Sequence, residues 1–319
     1  MQTGASGLLG KELVAALQSR QYIVRQLTTG KSNPSKGIYS WSPGSLGTVT
    51  SEGTMSGKPG FIEKGALEGC DVVVHLAGEN IASGDSNAGP LAILGRWTDS
   101  KKEKIMSSRV LGTRLITSEM KSLSRKPSTF ICASAVGLYG YDDSETVFTE
   151  KGKQGTGFLA DVVANWEKEA IKSPTSRTAL MRLSVILSKK GGVVGKLLPL
   201  FYLAAGGNFG SGKQAFSWVS VDDAVAAILY TLENSRLQGP INVCSPEPAT
   251  NEVFTQALAA AVNRPAIVPL PEPIGKLIFG QFGEETILGG QKCVPEKLRS
   301  SGFEFKDEDI YKALKKIVA

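Results

Sequence analysis

Three glycines, Gly4, Gly7 and Gly10, recur at intervals of three in the opening run TGASGLLG. Such a loop lets backbone amides approach an anion, because no side chains stand in the way. The helical-period stretch KELVAALQSR follows at once, so a helix would begin at the loop and turn its positive end toward the same anion. Ser6, Gly7 and Leu8 would line the turn, with Thr3 and Ser6 adding hydroxyl donors. The chemistry this pattern predicts is binding of the diphosphate of a dinucleotide.

About 20 residues further on, an NAD site carries Asp or Glu to hold the ribose 2′-hydroxyl. Here the segment reads RQLTTGKSN and holds no acid. Thr28 and Thr29 offer hydroxyls and Lys31 a cation, a set that suits a 2′-phosphate and would be poor company for a carboxylate-held ribose. NADP is therefore expected ahead of NAD.

Other reactive residue types are sparse. His75, the only histidine, ends the apolar run DVVVHLAG, where packing or a cofactor wall is the expected role rather than general base. Cys70, Cys132, Cys244 and Cys293 form no CxxC pair, so neither a disulfide framework nor a metal site is expected.

The elements that would position these groups alternate along the first half. YIVRQLTT, DVVVHLAG, STFICASAVGLYG and TALMRLSVIL read as strands; KELVAALQSR, KKEKIMSSRVLGTRLITSEMKS and FLADVVANWEKEAIK read as helices. This order predicts an α/β fold with a Rossmann-like, doubly wound parallel sheet. Residues 30–60 and the run SGDSNAGPLAILG, rich in Gly, Ser and Pro, are expected to be surface excursions. We place a nucleotide-binding domain at 1–185 and a smaller α+β substrate lobe at 186–319, from which 218–235 returns to the first domain.

The chain has 319 residues with a formal charge of +6. Its basic runs are mixed with acids and lack interleaved aromatics, so solvated helix faces are expected there rather than a nucleic-acid patch. No apolar run nears the roughly 20 residues needed to cross a membrane. A soluble intracellular protein acting on a small molecule is expected.

The runs TGASGLLG, VVHLAGENI, RWTDSKKEKIMSSRVLGT, ASAVGLYG, VVANWEKEA and GGNFGSGKQAFSWVSVDD together resemble the extended short-chain dehydrogenase/reductases, the NAD-dependent epimerase/dehydratase family. Within it they look like an atypical, SDR39U-type or YfcH-like branch whose C-terminal part is DUF1731-like. The resemblance implies a cofactor cleft. Leu76, Ala77 and Gly78 would wall it near adenine and ribose, and Arg109, of the SR pair, would reach the cofactor. Val163 would stand beside the nicotinamide ribose. Thr29 stands where relatives often carry a basic residue, which makes Lys31 a displaced substitute.

The same resemblance exposes a gap. Active members use a YxxxK pair with a Ser or Thr, the lysine lowering the phenol pKa for proton transfer. Aligned through WEKEA, Leu159 and Val163 occupy the Tyr and Lys positions. The Ser/Thr position falls on Ala135, with Ser134 one residue away and by alternation on the other face. Tyr139 either faces the nicotinamide or packs at the strand exit. Asp142, Asp143 and Glu145 follow on an expected loop. Two functions stay open: an oxidoreductase or nucleotide-sugar-epimerase-like enzyme using Tyr139, Ser134 or water as its acid, or a non-catalytic NADP-binding sensor or scaffold. Plant members of the branch are associated with plastids and their division, which the second reading accommodates.

Further along, Lys213, Gln214 and Trp218 are candidates for the substrate side, with lobe packing as the alternative. Asp222 and Asp223 are expected to cap a helix, as is Thr250. Only Met1, Gln2 and Thr3 precede the glycine loop, where relatives carry a full apolar strand. Missing three or four buried aliphatics, at about 1.5–3 kcal/mol each, would rival a domain's net stability. A longer natural form, with a plastid transit segment as one option against a cytoplasmic protein, is expected. For a chain starting at Met1 the expectation is weak cofactor binding and low thermal stability.

Overall fold

A computed structural model describes residues 1–45, 58–84, 95–141 and 145–319. From the N-terminus run β1 (Gln2–Thr3), α1 (Leu8–Ser19), β2 (Gln26–Thr28), β3 (Ile38–Ser42), β4 (Phe61–Ile62) and β5 (Val72–His75). Next come α2 (Asp99–Ser122), β6 (Thr129–Ala135), β7 (Val147–Phe148), α3 (Phe158–Ala170), β8 (Arg177–Leu183) and β9 (Val185–Leu187). The chain continues through α4 (Gly192–Tyr202), β10 (Ala215–Phe216), β11 (Trp218–Ser220), α5 (Val221–Glu233) and β12 (Gly239–Val243). It closes with β13 (Ala249–Thr250), α6 (Asn251–Ala261), α7 (Glu272–Thr286), β14 (Lys292–Cys293), α8 (Glu296–Ser300) and α9 (Ile310–Val318).

One eight-stranded sheet, of order β12-β8-β6-β5-β1-β2-β3-β4, organises the molecule. Every pair in it is parallel except β3 with β4. Helices cover both faces. Leu9, Leu13 and Leu17 of α1 and Val225 and Ile228 of α5 pack on one side; Ile116 and Met120 of α2 and Trp166 of α3 pack on the other. Each such side chain contributes about 1.5–3 kcal/mol on burial. The fold is thus the Rossmann-like α/β fold expected.

Three local expectations change. The strand before the glycine loop is short but not missing: Gln2 and Thr3 pair with β2 on one side and β5 on the other, at the sheet centre. The strand read as YIVRQLTT shrinks to three residues, and Ile23 is 94% exposed. Residues 30–60 are more than an excursion. Ile38–Ser42 extends the sheet beside β2 and buries Trp41. The flanking Gly, Ser and Pro hid this strand. Residues 46–57, and 85–94 of the second Gly- and Pro-containing run, lie outside the described residues, as do Asp142 and Asp143.

The lobe beyond Leu187 centres on Phe201, Trp218, Phe254 and Leu314. Its border differs from the expected 218–235 return, because β12 rejoins the large sheet beside β8 and carries the return to Val243. Two buried carboxylates tie the C-terminal segments to the nucleotide domain. Glu285 of α7 accepts from the first two amides of α3, Phe158 N at 2.9 Å and Leu159 N at 2.8 Å. Asp223 accepts from Lys306 N and Asp307 N, and the α5 cap is Ser220, not an aspartate. Thr250 caps α6 as expected.

Candidate functional site

The site begins where β1 turns into α1. Gly4 has φ +68°, and a Cβ there would lie 2.7 Å from the Leu76 carbonyl carbon. Gly10 is tighter: a Cβ would lie 2.0 Å from the Gly4 carbonyl oxygen. Only glycine permits both contacts, which bring the loop, α1 and the strand after it together. Gln2 Nε2 donates to the Gly10 carbonyl at 2.9 Å from within the core. Gly7 stands at the N-cap of α1 with no side-chain cap, and the first turn holds no acid. The amides of that turn and the helix dipole are oriented to favour an anion by about 0.3–2 kcal/mol. Ser6 and Gly7 are exposed at this end, and Leu8 is half-buried.

The facing wall is fixed just as closely. Thr3 Oγ1 accepts from Leu76 N and Ala77 N, each at 3.1 Å. Both lone pairs are then used, so its proton goes to His75 Nδ1, 2.7 Å away. The His75 ring consequently carries its own proton on Nε2, a buried atom without a hydrogen-bond partner among the described residues, and the ring stands at 85° to Trp41. Burial, with Arg109 acting in the same direction, pulls His75 down to about 3. It is a neutral part of the wall near pH 7. This is the role its apolar setting suggested.

Arg109 of α2 completes the wall. Its Nη1 donates to the Glu79 carbonyl at 3.0 Å, and its guanidinium lies 5.3 Å from the Trp166 ring centroid. A Cβ on the exposed Gly78 would sit 3.1 Å from Arg109 Cζ. Burial pulls Arg109 down to about 10 while Glu79 opposes the shift, so it stays cationic at neutral pH. The loop running on from Gly78 is pinned at several points. Ser108 Oγ accepts from Glu79 N; the buried Lys101 binds the Glu79 carboxylate and Ser83 Oγ; Trp97 Nε1 donates to the Ile81 carbonyl.

At the end of β2, Thr28 is half-buried and accepts from Gly30 N, while Thr29 and Lys31 are exposed. The structure therefore brings Gly4, Gly7, Gly10, Leu76, Ala77, Gly78 and Arg109 together at the carboxyl ends of β1 and β5. Thr28, Thr29 and Lys31 stand at the end of the neighbouring strand.

The positions associated with proton transfer are built differently. Ser134, Arg182 and Asn242 are aligned across β6, β8 and β12 by strand register. Ser134 Oγ donates to Glu167 Oε1 at 2.5 Å, and Glu167 also accepts from Arg182 Nε at 2.8 Å. Tyr139 Oη donates to Asn242 Oδ1 at 2.7 Å and accepts from Arg182 Nη1 at 2.9 Å. Both hydroxyls thus belong to one buried polar chain. Burial pushes the Tyr139 phenol up to about 12, although Arg182 pulls the other way. Val163 is buried with Val136, Leu138 and Tyr139. Leu159, like Ile81, Met106 and Phe279, packs against the cluster of Trp97, Ile105, Val162 and Phe282. Glu167 and Arg182 were missed from sequence; a charged pair, one on a helix and one in an apolar strand, was the available signal.

Trp218 is fully buried and donates to the Glu247 carbonyl. Gln214 ties its own turn to Phe209 and Ile287, and Lys213 is exposed. Burial raises the thiols of Cys132, Cys244 and Cys293, which makes them poor nucleophiles. Among the described residues no cluster of three or more His, Cys, Asp or Glu is placed to hold a metal ion. Among them, too, no helix is long and apolar enough to cross a membrane.

Comparison with known proteins agrees with this architecture. Residues 270–317 match a domain of unknown function, DUF1731. The epimerase family protein Mb2239 of Mycobacterium bovis is 34% identical over 313 residues, covering 98% of this chain and 94% of that protein. The chloroplastic SDR39U1 homolog of Arabidopsis thaliana is 34% identical, covering 99% and 85%. The crystal structure of human epimerase family protein SDR39U1 (isoform 2) with NADPH superposes with a TM-score of 0.83 at 27% identity, covering 99% and 98%. Residues 3–244 match the NAD dependent epimerase/dehydratase family, and the chain belongs to it.

Proposed function

We propose that this protein binds NADP(H) in the cleft between the glycine loop and the Leu76–Glu79 wall. On this reading it acts as an oxidoreductase or epimerase-like member of its family that lacks the Tyr–Lys pair. The observation that carries the reading is the cradle at Gly4 and Gly10, where a Cβ would collide with backbone and where an uncapped helix start faces the cleft. A diphosphate fits that cradle on charge and on space. The human relative solved with NADPH supports the choice of nucleotide.

In this reading Ser6, Gly7 and Leu8 contact the diphosphate through the loop, and Leu76, Ala77 and Gly78 flank the adenosine. Arg109 holds the wall and places a positive charge beside it. Thr28, Thr29 and Lys31 take the 2′-phosphate. When bound, the nicotinamide supplies or accepts a hydride. The chain's own contribution is to orient it, with Val163 forming part of the packed floor. An acid role for Ser134 or Tyr139 would require either hydroxyl to leave the Glu167–Arg182–Asn242 chain, so the proton is assigned to water.

A second reading, a cofactor-holding sensor or scaffold without turnover, is favoured by Leu159 and Val163. Neither side chain can carry a proton. Two measurements on the pure protein separate these readings: NADPH binding by fluorescence, and NADPH oxidation across a panel of carbonyl compounds. Binding with saturable oxidation supports the enzyme. Binding without oxidation supports the sensor, and failure to bind NADPH removes both.

A further inference from the structure

From the surface around Leu159 we infer the class of the second ligand: a compound with an apolar body and one acidic group, rather than a nucleotide sugar. The inference rests on the reading that NADP(H) fills the cleft. Leu159 sits over Gly137, in the loop that leaves β6, and so lies at the carboxyl end of the sheet where open α/β folds bind ligands. The polar groups beside it are already engaged: the buried Glu285 carboxylate accepts from Phe158 N, Leu159 N and Gln281 Nε2. Leu159, Ile81, Met106 and Phe279 all pack against one buried cluster that includes Trp97 and Phe282, whose ring centroids are 5.6 Å apart. Ile81, Met106, Leu159 and Phe279 each remain partly exposed. A sugar needs several hydroxyl partners, and burying those hydroxyls against hydrocarbon costs roughly 1–3 kcal/mol apiece.

Two further observations extend the apolar surface outward and give it a charge. Leu200 of α4 and Leu277 of α7 are 48% and 70% exposed. Both helices are tied to the loop that continues the cofactor wall. Lys196, one turn before Leu200, donates to the Ala82 carbonyl, and Arg96 Nη1 donates to the Leu277 carbonyl at 2.9 Å. Neither cation forms an ion pair with a carboxylate among the described residues. Partly exposed apolar side chains and two cations without a carboxylate partner are thus held on the same loop and helices, which matches an alkyl or aromatic chain ending in a carboxylate.

The test titrates 10-oxodecanoate, decanal and UDP-glucose into protein saturated with NADP+, so that binding is read without turnover, and NADP+ separately into cofactor-free protein. Calorimetry should show 10-oxodecanoate binding at least tenfold tighter than UDP-glucose. The double variant Arg96→Ala/Lys196→Ala should weaken 10-oxodecanoate about tenfold, with decanal and NADP+ changing less than twofold. Tighter binding of UDP-glucose overturns the inference while leaving the cofactor reading intact, as does NADP+ binding with no heat from either apolar probe. Equal losses for decanal and 10-oxodecanoate in the double variant overturn the assigned charge. Absence of NADP+ binding overturns the cofactor reading and the inference with it.

Discussion

The two ends of the cleft are built on different principles. At the diphosphate end the geometry is carried by the close backbone approach of Gly4 and Gly10, where a Cβ would collide, with the Thr3 hydroxyl tying down the Leu76 and Ala77 amides. At the other end side chains decide, and they have been turned inward. Ser134 and Tyr139 bond to Glu167, Arg182 and Asn242, while Leu159 and Val163 are packed into apolar clusters. Holding a dinucleotide requires a shape that glycines supply. Moving a proton requires particular functional groups at a free surface. A chain can keep the first and replace the second without changing its fold.

The contrast is broken most severely through the buried pair. Arg182→Met leaves the Glu167 carboxylate with only Ser134 and should destabilise the fold by about 3–5 kcal/mol in denaturant titrations. Adding Glu167→Leu should recover most of that loss, and NADPH affinity of the folded double variant should stay within threefold. Lost affinity with unchanged stability would instead place the network in the cofactor site.

Gly10→Ala attacks the opposite end. With its Cβ driven toward the Gly4 carbonyl, the loop must shift, and NADPH affinity should fall about a hundredfold, or about 2.7 kcal/mol. Unchanged affinity would show that the cradle is not the binding element.

The wall makes its own pH prediction. His75 sits at about 3 in the folded state against about 6.5 when unfolded, so below pH 6.5 the unfolded chain takes up a proton that the folded chain refuses. Stability should fall through that window, by on the order of 2–3 kcal/mol at pH 4.5. His75→Asn, which keeps an acceptor for Thr3, should flatten that part of the stability–pH curve. Parallel curves for the two proteins would mean that His75 is not held neutral. The smallest expected effect concerns cofactor choice. Lys31→Glu should weaken NADPH about tenfold, roughly 1.4 kcal/mol, and leave NADH within twofold. Equal losses for both nucleotides would remove the 2′-phosphate role.

Local and periodic features were legible in the sequence. The glycine spacing marked the turn at β1, and the long apolar-periodic run marked α2, started by Thr98 and Asp99. Features set by register or by distant contacts were not. Ser134, Arg182 and Asn242 are far apart in the chain and become neighbours only when β6, β8 and β12 pair in register. Asp223 reads as a helix cap because it begins a helix, yet its carboxylate is drawn to Lys306 and Asp307 by a tertiary contact. Trp41 was hidden among Gly, Ser and Pro because a short strand needs little local signal once a neighbour supplies its hydrogen bonds. Glu285 holds α3 from more than a hundred positions away in the chain, and nothing near either segment announces it.

Amide hydrogen exchange with and without saturating NADPH tests the central assignment most directly. Slower exchange should be confined to residues 4–10, 28–31 and 76–79, with the Ser134–Tyr139 segment unchanged because its hydroxyls are held in a buried polar chain. Protection confined to the lobe beyond Leu187, or none at all, would contradict the placement of the nucleotide on the glycine loop.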